Sequence, residues 1–159
     1  PYYPDYWMDK TVKEGIKRYY EIILNNCHEM AECFDVYGHI DYIIRYIPKH
    51  MKENLQQKEY SYESFSDLID EILKTIISKG KGIEINTSGF KYGLGRPHPE
   101  QGILERYYEF GGKIITIGSD SHISEHVGYD FAKAEAILKE IGFNYYTVFI
   151  GRKPTFVKL

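Results

Sequence analysis

The sequence predicts an α/β fold built on a parallel sheet, and three observations carry that prediction. Short apolar runs rich in β-branched residues alternate with stretches of helical period, so strand and helix follow one another along the chain. Between most strands and the helices that follow lies a polar or glycine-bearing loop, the arrangement that right-handed crossover units require. At 159 residues and 43% hydrophobic content, the chain is long enough for one domain with a real core. Four strands and an extended tail are expected. A closed (β/α) barrel takes roughly 200 to 250 residues, so the pattern fits the carboxyl-terminal half or more of a barrel.

The elements follow in order. Thr11-Val12-Lys13-Glu14 is a capping box opening a helix, whose Ile16, Tyr19, Tyr20, Ile23 and Leu24 recur at helical spacing to about Cys33. Phe34 to Gly38 alternates as a short strand and leads into His39-Ile40-Asp41. A less regular segment with Arg45 and Pro48 reads as loop and short helix. The clearest helix carries Phe65, Leu68, Ile69, Ile72, Leu73, Ile76 and Ile77 on one stripe, begins near Ser61 or Ser64 and stops at Gly80. A strand over 83–86 follows, with Glu84 and Asn86 on one face, and then a loop containing Arg96 and His98. Pro99 suits the first turn of the next helix, which ends at Gly111-Gly112. A strand over 114–118, a helix from about Val127 to Gly142, a strand over 145–150 and an extended tail from Lys153, suited to pairing at an edge, complete the chain.

Composition narrows the function. A formal charge of −3 and the lack of any Lys/Arg-rich stretch argue against a nucleic-acid surface and favour a small phosphorylated substrate. No apolar run reaches membrane-spanning length, so no membrane partner is expected and the localisation expected is cytoplasmic. Cys27 and Cys33 fall roughly 120° apart around a helix, at about 100° per residue; they read as reduced structural thiols and not as a metal or redox pair. The 16 tyrosines suit half-buried surface or a wet aromatic pocket. The start Pro1-Tyr2-Tyr3-Pro4, without methionine, has the character of an internal loop, which suggests a fragment.

Three strand ends carry the chemistry. The strand at 34–38 runs into His39, with Asp41 two residues on; that at 83–86 ends at Asn86; that at 114–118 opens into Asp120 and His122. In a parallel sheet these ends share one rim, where loops beyond the carboxyl ends of strands form the binding site. Gly-Ser-Asp-Ser is also good turn chemistry, and a lone histidine after a strand is commonly a loop residue. Two histidines and an aspartate on one rim are nevertheless a nitrogen and oxygen set suited to a divalent cation. Arg45 and Arg96 are candidate phosphate clamps, since a guanidinium matches phosphate bidentately. Asn86, His98 and His126 are candidates for contact with substrate or its phosphate, while His28 and His50 read as structural.

The segments Asp35-Val36-Tyr37-Gly38-His39-Ile40-Asp41, Ile83-Glu84-Ile85-Asn86-Thr87-Ser88-Gly89 and Ile117-Gly118-Ser119-Asp120-Ser121-His122 resemble the later motifs of the PHP (polymerase and histidinol phosphatase) superfamily. The run from Ile83 and the closing Val148-Phe149 and Arg152-Lys153-Pro154 resemble its histidinol-phosphatase branch. This resemblance implies a distorted TIM-like (β/α)7 barrel that binds two or three divalent metals, zinc, iron or manganese. It implies hydrolysis of L-histidinol phosphate to histidinol and phosphate in histidine biosynthesis. By motif, His39, Asp120 and His122 carry over as metal ligands. The amino-terminal His-x-His pair, the following histidine and the ligating glutamate of the family have no counterpart, so residues 1–159 are expected to be one partial PHP domain with an incomplete metal site, inactive alone and prone to self-association through open barrel edges. The competing readings are a PHP nuclease or phosphoesterase and a non-catalytic metal-binding fragment.

Overall fold

Thr11 starts the first helix as its spacing predicts: the Glu14 amide donates to Thr11 Oγ1 (3.3 Å) and the Thr11 amide to Glu14 Oε2 (2.8 Å). The computed structural model describes residues 4–53 and 55–159, so the opening Pro1-Tyr2-Tyr3 lies outside the described residues. Helix α1 (Val12–Glu29) buries Ile16, Tyr20, Ile23 and Cys27 on one stripe and ends before Cys33, the last turn becoming a 3₁₀ segment at Ala31–Cys33. Strand β1 covers only Val36–Tyr37, because the chain leaves extended geometry at His39, whose φ is +32°.

The segment that follows is a 3₁₀ turn at Tyr42–Tyr46 and a one-turn helix α2 (Lys49–Lys52). Helix α3 (Ser66–Ser78) precedes β2 (Gly82–Asn86), the short α4 (Ser88–Lys91) and α5 (Gln101–Glu109). Then come β3 (Ile115–Gly118), α6 (Phe131–Ile141), β4 (Tyr145–Ile150) and β5 (Lys153–Lys158). Helix α6 starts later than the expected Val127, because Asp130 at φ +54° interrupts the helix and residues 124–126 form a separate 3₁₀ turn. Gly142, at φ +117°, closes α6 in a conformation that side chains rarely adopt.

The central sheet has the order β1-β2-β3, all parallel, with Ile83 opposite Ile115 and Asn86 opposite Gly118. Alternation sends Ile83, Ile85 and Ile115 to the side where they are fully buried with α1, α3, α5 and α6, through Ile16, Ile69, Ile72, Leu73, Ile103, Leu104 and Leu138. Each such side chain contributes roughly 2 to 3 kcal/mol. The opposite side carries Glu84, Asn86, Thr116 and Gly118, the residues that lead to the rim.

The fourth strand departs from expectation. β4 lies beside β3 but forms no ladder with it; instead it pairs antiparallel with β5 as a separate two-stranded sheet. Gly151 and Arg152, at φ +55° and +61°, make the two-residue turn whose twist suits such a hairpin. Pro154 sits on the edge strand, where the missing N–H costs least. Cys27 is buried and Cys33 exposed, both as free thiols. Among the described residues no helix is long and apolar enough to cross a membrane.

Candidate functional site

Parallel register brings the ends of β1, β2 and β3 to one edge. His39 follows β1 and Asp120 follows β3, and both are non-glycine residues with positive φ, +32° and +45°. Histidine and aspartate are among the side chains that tolerate that region. Tyr42 joins them. The His39 ring stacks on Tyr42 with centroids 4.2 Å apart, and Tyr42 Oη donates to Asp120 Oδ2 at 3.0 Å. Burial first, then the Tyr46 hydroxyl and the Asp120 carboxylate, push the Tyr42 phenol far above its ordinary range, so it remains a donor. His122 is exposed, its Nε2 3.6 Å from Asp120 Oδ1.

The donor set fits a divalent cation in its chemistry. His39 Nδ1 is buried with no hydrogen-bond partner, leaving an imidazole nitrogen uncommitted on the rim that also carries the Asp120 carboxylate and the His122 imidazole. Among the described residues no three His, Cys, Asp or Glu side chains converge on a point, so these are neighbouring donors and not a closed cage.

The other predicted residues divide into two groups. Arg45 stays at the rim: its guanidinium lies 3.4 Å from the Tyr92 ring centroid, and its Nη1 donates to Tyr42 Oη at 2.9 Å. Asn86, Arg96 and His98 are engaged within the protein. Asn86 Nδ2 donates to Glu84 Oε2 (3.0 Å) while its Oδ1 accepts the Ser88 amide (2.9 Å). Arg96 Nη1 donates to Asp41 Oδ2 at 2.6 Å and to the Pro97 carbonyl at 3.1 Å. His98, fully buried, places Nδ1 2.5 Å from Asp41 Oδ1 and its ring edge against Tyr42. Burial of Asp41 works against its charge, but His98 and Arg96 outweigh it and hold the carboxyl at about 2. His126 sits edge-on to Tyr129, away from these contacts.

Sequence reasoning missed Lys91. Its Nζ is buried without a hydrogen-bond partner and lies 4.8 Å from the centroid of Tyr92, the ring that also receives Arg45. The available signal was a cation in the short helix that follows the strand end at Asn86.

The chain belongs to the PHP domain family, whose pattern matches residues 1–88. Within it, the similarities fall in the histidinol-phosphatase branch. A probable histidinol-phosphatase of Thermotoga maritima is 39% identical over 127 residues, 79% of this chain and 48% of that protein. The histidinol-phosphatase of Lactococcus lactis is 31% identical over 152 residues, 94% of this chain and 52% of that protein. The crystal structure of the L. lactis histidinol phosphate phosphatase, complexed with zinc, L-histidinol and phosphate, superimposes with a TM-score of 0.80 at 28% identity, covering 95% of this chain and 54% of that one. A structure from Listeria monocytogenes, at 19% identity and TM-score 0.64 over 76% of this chain and 44% of that one, shares the fold. The chain thus spans about half the length of the relatives it matches.

Proposed function

We propose that this chain is part of a metal-dependent phosphomonoesterase that hydrolyses L-histidinol phosphate to L-histidinol and phosphate in histidine biosynthesis. The observation that carries the reading is the pairing of two features on one rim. His39, Asp120 and His122 offer nitrogen and oxygen donors, and Arg45 and Lys91 converge on Tyr92 beside them. Similarity to an enzyme crystallised with zinc, L-histidinol and phosphate supports the choice of substrate.

In this reading His39, Asp120 and His122 hold a divalent metal: zinc, iron or manganese. A metal there supplies an activated water and neutralises charge at phosphorus. Arg45 and Lys91 bind the phosphoryl oxygens, and Tyr42 orients the Asp120 carboxylate through its hydroxyl. Arg96, His98 and Asn86 support the loops from behind, through their bonds to Asp41, Glu84 and the Ser88 amide. Residues 1–159 form one PHP domain portion, the carboxyl-terminal part of a distorted (β/α)7 barrel in a cytoplasmic enzyme, and self-association covers its open sheet edges. Coverage of about half of each relative supports this domain reading.

The test is phosphate release from L-histidinol phosphate with added Mn²⁺ or Zn²⁺, by the protein that carries this chain and by its R45A/K91A variant. Release is expected, with KM raised at least about tenfold in the variant. Hydrolysis of an oligonucleotide but not of histidinol phosphate would replace this reading with the nuclease.

A further inference from the structure

We propose that Glu84 is the positioning residue of this rim. From the central strand its single carboxylate sets the loops that carry His39 and Asp120 relative to each other. The inference rests on the metal-site reading above.

β2 lies between β1 and β3, so a side chain on its rim-facing side can reach both flanking loops at once. Glu84 does so. Its Oε2 accepts the His39 amide at 3.2 Å and the Asn86 side-chain amide at 3.0 Å. Its Oε1 occupies the space where residue 118 would carry a side chain: a Cβ on Gly118 would stand 2.0 Å from it. On the other flank, a Cβ on Gly38 would stand 3.3 Å from Oε2. Gly118 is not in the left-handed region, so its value here is the absence of a side chain and not its backbone freedom. Gly38 and Gly118 each immediately precede a loop with a residue at positive φ, His39 and Asp120. Such conformations persist where the surroundings over-determine them. A charged acceptor behind the His39 amide, wedged against Gly118, is that determinant.

Oε2 is therefore committed to two N–H groups, while Oε1 lies against the bare Cα of Gly118. The Oε2 hydrogen bonds are the contacts through which a supporting carboxylate acts. A supporting carboxylate acts through hydrogen bonds that glutamine retains in part, whereas a ligating carboxylate acts through its charge on the metal.

The experiment compares the wild-type 159-residue chain with E84A, E84Q, G118A and H39A, by backbone NMR with amide hydrogen exchange, first without metal and then during Mn²⁺ titration. Without metal, E84A is expected to speed exchange of the His39 amide about tenfold and to shift the signals of 38–39 and 118–120 together. E84Q should restore His39 protection. G118A should reproduce the E84A effect at His39 from the opposite flank of the sheet, by displacing the carboxylate. With Mn²⁺, E84A should bind about tenfold more weakly and E84Q within about threefold of wild type. Two results overturn the proposal: E84A leaving either loop unshifted, or E84Q losing Mn²⁺ as completely as H39A while keeping its His39 amide protected, which would make Glu84 a ligand. No Mn²⁺ broadening near His39 and Asp120 in the wild type, with the exchange results as expected, would instead refute the metal reading and leave the coupling of the two loops standing. Should E84A fail to fold, E84Q and G118A carry the same comparison.

Discussion

Replacing Asp41 by asparagine should destabilise the protein and also remove a defined part of its acid sensitivity. Asp41 is 1% exposed and accepts three contacts: His98 Nδ1 at 2.5 Å, Arg96 Nη1 at 2.6 Å and the Glu100 amide at 3.0 Å. In the folded chain its carboxyl titrates at about 2, held down by His98 and Arg96 against the opposing effect of burial. An unfolded aspartate titrates near 3.9, so between the two values the unfolded state binds more protons. The stabilisation is therefore fully present above about pH 5, falls as the pH drops, and is gone below about pH 1. A difference of roughly 1.9 at about 1.36 kcal/mol per pH unit gives about 2.6 kcal/mol. In D41N the Arg96 guanidinium loses its counter-charge in a largely buried setting and His98 Nδ1 loses its carboxylate partner, which together cost about 3 kcal/mol at neutral pH. Urea denaturation followed by Trp7 fluorescence, at steps from pH 7 to pH 2.5, should show the gap between wild type and D41N closing by about 2 kcal/mol. Parallel stability curves for the two proteins across pH 5 to 2.5 would refute the reasoning, because they would mean that Asp41 carries no depressed titration.

Two further outcomes follow from burial. Ile83, fully buried in β2 against the helices, should cost about 3 kcal/mol when cut to alanine, measured by urea denaturation at pH 7; a loss under about 1 kcal/mol would show that this part of the core collapses around the cavity. Cys33 is exposed, whereas burial pushes the Cys27 thiol up to about 11. A disulfide reagent at pH 8 should therefore label one thiol per native chain and two in urea, with Cys27 at least about a hundredfold slower; equal native rates would place Cys27 at the surface.

The parts of this fold that sequence reading reached are those governed by neighbours in the chain. The Thr11–Glu14 box, the stripe from Phe65 to Ile77 and the abrupt passage from Ile117 to Asp120 each state their geometry within a few residues. Given parallel strands, the shared rim of His39, Asn86 and Asp120 then follows from topology alone. The parts that stayed hidden depend on partners far apart in sequence. Arg96 and His98 have the chemistry of phosphate ligands, and only their approach to Asp41, 55 and 57 residues earlier, turns them inward. Lys91 reads as one surface cation among many until Tyr92 is seen to gather Arg45 from 47 residues earlier. The β4–β5 hairpin is an intermediate case: Gly151-Arg152 between two extended runs is a local turn signal, yet the strand-helix rhythm upstream favours a parallel strand at 145–150. Glu84 shows why local pattern is insufficient at a site. Its alternation places it on the rim-facing side of β2, but its consequence comes from the bare Cα atoms of Gly38, just past β1, and Gly118, at the end of β3, which leave room for one carboxylate between the two loops. A residue's type and period say where its side chain points; the residues that make room for it decide what it holds.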